Sequence, residues 1–65
     1  MFYIRNKTTG WLMCGYSLWT PDRDVAMSFR SQVGAHAIYV MVLLQGVPAE
    51  VVHEKDDQAQ RGVRL

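Results

Sequence analysis

From Ala37 to Leu44 the chain reads Ala-Ile-Tyr-Val-Met-Val-Leu-Leu, eight residues with no polar break. That is far below the roughly 20 residues that span a bilayer, so the segment must find its apolar surroundings in folded protein. Its β-branched content suits a buried strand. The flanks favour a helix instead: Ser31 can cap one beginning at Gln32, and Gly46 followed by Pro48 supplies a stop. Length and these paired end signals point to a helix of about fourteen residues. In either conformation the segment is apolar all round, whereas a surface helix keeps one polar face. A three-stranded sheet covers only one side, so the other calls for neighbouring chain or a second copy. Ile38 and Val42 are the residues expected to carry self-association.

The rest of the chain supplies that sheet. Phe2 to Asn6 is aromatic and β-branched and reads as a strand. Asn6 to Gly10 has turn chemistry, with Gly10 free to adopt the positive φ that closes a hairpin loop. Trp11 to Cys14 returns, and Tyr16 to Trp19 either continues that strand or forms an irregular connection. At Thr20-Pro21-Asp22 a hydroxyl cap, a first-turn proline and acids at the positive dipole end predict a short helix to about Phe29, with Ala26 and Phe29 inward. Ala49 to Glu54 is the last strand. The predicted fold class is α+β, a three-stranded antiparallel sheet with two helices on one face in the order β-β-α-α-β. Residues 1–54 form the single domain, and the polar residues 55–65 form a flexible tail.

Composition narrows the function classes. A 65-residue chain forms one domain and buries only about 60% of its unfolded surface. Cys14 is the one cysteine, so no internal disulfide can form, and it is expected as a small buried hydrophobe in a reducing cytoplasm. One cysteine and two distant histidines, His36 and His53, do not make a zinc site, and no cofactor motif is present. His36 is expected partly buried in the helix and His53 exposed at the strand end. Nothing places either beside a nucleophile, and Asp22 with Asp24 reads as capping, so no catalytic residues are assigned. The net charge of +1 is not that of a typical nucleic-acid binder, and the N-terminus lacks the order of a signal peptide.

What remains is binding. Arg5 and Lys7 flank the first hairpin, and Arg23 and Arg30 project from the expected first helix and its end. Together with Trp19 they form the candidate partner-contact set, because tryptophan and arginine dominate interface energetics. One of Trp11 and Trp19 is expected in the core and one at the rim. Basic groups interleaved with aromatics on a sheet face can also hold single-stranded nucleic acid, which is the alternative function.

The order FYIRNKTTGWLM, LWTPDRDVAMSF with a following Arg-Ser and Ala35, then GVPAEVV, is similar to small proteins of phages and prophages. In those a Tyr-Ile-x-Asn strand, a Thr-Gly turn, a Trp-Thr cap and an Ala-x-x-Phe helix recur in that order. The resemblance covers residues 2 to 54, and the apolar run at 38–44 departs from the more polar second helix of that pattern. It implies a non-enzymatic inhibitor, of the anti-CRISPR type, that occupies a surface on a bacterial protein or ribonucleoprotein complex in the host cytoplasm. A structural subunit that self-associates is a further alternative, and no membrane partner is expected.

Overall fold

A computed structural model describes residues 1–53 of the chain; Glu54 and the expected tail at 55–65 lie outside the described residues. Among the described residues the fold is a small α+β arrangement of four antiparallel strands and one helix: β1 (Phe2–Asn6), β2 (Leu12–Gly15), β3 (Leu18–Thr20), α1 (Gln32–Leu44) and β4 (Ala49–His53). The sheet order is β3-β2-β1-β4, so the first strand sits inside and the last returns beside it. Phe2 pairs with His53 and Asn6 with Ala49 at the two ends of the β1–β4 ladder.

The expected three strands and two helices are corrected at two places. The segment Tyr16 to Trp19 turns at Tyr16-Ser17 and yields a separate strand, β3, through the pairing of Met13 with Trp19. The predicted helix from Thr20 to Phe29 does not form. The Thr20 hydroxyl accepts from the Asp22 N–H at 3.1 Å, and the Asp22 carboxylate accepts from Asp24 N–H at 2.9 Å. The Asp22 carbonyl then accepts from Val25 and Ala26, which makes one turn and no more. Beyond it the chain is extended, because its backbone groups find better partners in the sheet. Met27 N–H donates to the Met13 carbonyl at 2.9 Å, and Phe29 exchanges two hydrogen bonds with Phe2 at 2.7 and 2.8 Å. These bonds fill the opening between β1 and β2, whose pairing is Arg5 opposite Leu12. A helix of nine residues has little intrinsic stability, so the cap signals lose to tertiary pairing.

The signals bracketing α1 succeed. Ser31 has extended backbone, and its hydroxyl accepts from Gly34 N–H at 3.1 Å. At the other end Gly46 takes φ +83°, Gly46 N–H bonds the Leu43 carbonyl, and Val47 N–H reaches back to Val42. This double bond pattern with a left-handed glycine is a Schellman cap, and Val47 packs against the core as that cap requires. A Cβ at position 46 would meet nothing within 4 Å, so alanine there suffers from the backbone conformation alone. Gly46→Ala should lower stability by about 1 to 2 kcal/mol in urea unfolding, with an unchanged m-value.

The core lies between α1 and one face of the sheet. Ile4, fully buried, meets Met13, Val42 and Ala49, with Trp19, Phe29, Ile38, Tyr39 and Val47 around them. Strand alternation turns Tyr3 and Arg5 to the opposite face. There Arg5 bonds Glu50 directly across the β1–β4 ladder, with its Nε 2.9 Å from the carboxylate. The Arg23 guanidinium lies 5.6 Å from the Tyr3 ring centre and covers it, so Tyr3 is buried on a face that carries no helix.

Candidate functional site: an apolar cleft beside the helix

The one helix packs on β1 and β4. The β2–β3 side of the same face is therefore incompletely covered. The result is an open cleft of about 170 Å³ between the flank of α1 and the β2–β3 hairpin. Met13 and Val42 form its floor, Ile38, Met41 and Gln45 its helix wall, and Tyr16 and Met27 the opposite rim. Ile38, Met41 and Gln45 share that wall because residues three and four apart lie on one side of a helix. Met27 is held there by its backbone bond to Met13, the same bond that displaced the predicted helix.

The lining chemistry is narrow. The polar groups it contributes are the Tyr16 hydroxyl and the Gln45 amide, and it includes no acid, base or thiol. Tyr16 is 74% exposed, with Ser17 beside it at φ 57°, the left-handed conformation of the tight turn between β2 and β3. Met41 is half-exposed at the mouth. Thioethers are flexible and polarizable, so a methionine-lined wall adapts to apolar side chains of different shape. A volume near 170 Å³ is below the usual range for cofactor pockets but suits one ring or one leucine-sized group.

The residues singled out in the sequence do not converge on this cleft. Lys7 and Arg30 are exposed, but at opposite ends of β1: Lys7 follows Asn6, and Arg30 follows the Phe29 that pairs with Phe2. Arg30 lies beside Met1, and the six residue steps from there to Lys7 put them about 20 Å apart. Arg5 is engaged by Glu50 and Arg23 by Tyr3. Trp19 is half-buried against the core, and Trp11 is the exposed tryptophan. Of the two self-association residues, Val42 is 3% exposed inside the chain's own core and Ile38 is half-buried against it. Their positions are corrected accordingly, since the helix turns both toward the sheet. His36 is exposed rather than partly buried, and His53 is half-buried, edge-on to the Phe2 ring at 4.6 Å. Cys14 is half-buried.

Sequence reasoning missed Met13, Tyr16, Met27 and Met41. The spacing of Ile38, Met41 and Gln45 marks a helix side, but nothing local brings Met27 to it. That contact depends on a non-local backbone pairing. Among the described residues no three metal-ligating side chains converge, and no helix is long and apolar enough to cross a membrane. In comparison with known proteins, no family model, no curated protein and no solved structure matches the chain.

Proposed function

We propose that the chain is a non-enzymatic binding protein that occupies a surface on a protein target by taking one of its apolar side chains into the cleft. The observation that carries this reading is the cleft itself: apolar, methionine-lined, and open at Tyr16, Met27 and Met41. Tyr16 and Gln45 at the margin supply hydrogen-bonding groups that orient a guest without chemistry. The class of target is part of the proposal and rests on the order of the sequence motifs alone: a bacterial defence complex, with anti-CRISPR inhibition as the specific function.

The nucleic-acid alternative draws less support. Arg5 is held by a carboxylate, and the sheet-face aromatic Tyr3 lies beneath Arg23, where no base can stack on it. Base stacking is what gives single-strand readers their sequence-tolerant affinity.

The test is expression in a host whose CRISPR system restricts a matched phage. The wild-type chain should restore plating, and Met41→Glu should abolish that effect by placing a charge at the mouth of the cleft. Met41 is half-exposed, so the variant keeps its fold, which circular dichroism checks. Restriction that persists with the wild-type chain, or inhibition that survives Met41→Glu, overturns the proposal.

A further inference from the structure

A different surface of α1 carries an inference of its own. Val33, Ala37, Val40 and Leu44 recur at spacings of four, three and four, which places them in one stripe. The stripe lies directly opposite Ala35 and Val42, the two buried residues of the helix. Val33 is 81% exposed and Leu44 82%, although both are large and apolar. No Asp, Glu, Lys or Arg occurs anywhere in α1.

We infer that this stripe joins two copies of the chain, helix against helix and antiparallel, across a two-fold axis near Ala37 and Val40. An isologous contact needs a surface complementary to itself, and the stripe has that form. Its small and medium residues lie at the centre and its most exposed ones at the ends. Antiparallel pairing brings Val33 beside Leu44 of the second copy at each end, while Ala37 lets the two backbones approach at the middle. From Val33 to Leu44 the stripe rises about 16 Å, three turns of interdigitating side chains. A charged partner would find no Asp, Glu, Lys or Arg on α1 to pair with, whereas a second uncharged stripe leaves no charge stranded.

The area fits a weak pair. The exposed parts of Val33, Val40, Leu43 and Leu44, apart from the cleft residue Met41, amount to roughly 430 Å² per copy, or about 860 Å² for the pair, the size of a transient interface. The dimer is therefore expected to form with concentration and not as an obligate unit. The chain's own remainder is a poorer cover. Residues 54–65 offer Ala59, Val63 and Leu65 among Glu54, Lys55, Asp56, Asp57, Arg61 and Arg64.

Sedimentation equilibrium of the full chain, from about 1 to 200 µM, tests the inference. The wild-type mass should rise from one chain toward two across that range. Ala37→Glu sets two carboxylates against each other at the axis and should weaken association at least 100-fold, with circular dichroism unchanged because Ala37 is exposed. Leu44→Glu, in the last helical turn, is the second variant should the first perturb the helix, and it should weaken association at least 10-fold. A wild-type chain monomeric throughout, or dimers that persist in both folded variants, overturns the inference. So does a monomer that transfers to phosphatidylcholine vesicles, since the stripe would then be serving lipid. A monomer whose cleft still inhibits restriction ends this inference and leaves the proposed function standing, and a dimer without inhibition does the reverse.

Discussion

Ile4→Ala should remove most of the stability of the domain. Ile4 is fully buried at the meeting of β1, β2, β4 and α1, and its neighbours Met13, Val42 and Ala49 are themselves in the core. Truncating a buried isoleucine to alanine costs about 2–5 kcal/mol, the upper part applying where neighbours cannot collapse into the cavity. Strand pairing on both sides of β1 restricts that collapse. A domain of this size has roughly 3–10 kcal/mol in all, so the loss is a large fraction of the whole. A loss of about 3 kcal/mol lowers the melting temperature by about 12–24 °C, converted at about 4–8 °C per kcal/mol. Melts belong at low micromolar concentration, where self-association adds nothing to the folded state. A shift under about 5 °C would show that Ile4 is not the centre of the core.

The second large effect contrasts two helix positions of similar character. Val42→Asp buries a carboxylate against Ile4, Met13 and Ala49, none of which can pair with it. An unpaired buried charge costs more than about 4 kcal/mol, and the chain should be unfolded at neutral pH. Leu44→Asp, two residues along and 82% exposed, should change the stability of the isolated chain by less than about 1 kcal/mol. Both side chains belong to the same apolar run, and only the direction of projection separates them. Urea unfolding of the two variants side by side reads this difference directly. Equal destabilisation would mean that the outer face of α1 is packed within one copy.

That contrast also explains what the sequence could and could not convey. The ends of α1 were legible because Ser31 and Gly46 act through bonds to residues three to five positions away. The first hairpin was legible for the same reason, since Asn6 holds Thr8 and Thr9 with its own side chain and Gly10 takes φ +78°. The apolar run was recognised as unusual, but its lack of a polar face removed the periodicity that would have told Val42 from Leu44. Facing had to come from packing. The segment from Thr20 to Phe29 misled because its cap residues are real hydrogen-bonding groups serving a turn instead of a helix. What decides its path is the opening between β1 and β2, a feature made by residues distant in the chain.

The same displacement creates the candidate site, so the error at Thr20–Phe29 and the missed cleft have one cause. Basic residues were visible one at a time, yet two of the four singled out satisfy other groups of the chain, Arg5 with Glu50 and Arg23 with Tyr3. A partly exposed pair of the Arg5–Glu50 kind contributes about 1 kcal/mol or less, which leaves apolar burial as the dominant source of stability in the domain.

The acceptance of an apolar side chain by the cleft is the central claim, and methionine methyl groups report on it directly. The chain has four methionines, of which Met13, Met27 and Met41 line the cleft and Met1 does not. With methyl-labelled methionine, titration of the folded chain with toluene, the side-chain analogue of phenylalanine, should shift the Met13, Met27 and Met41 resonances together and saturably. Met1 should stay in place. Resonances that do not move, or a response led by Met1, would contradict the account.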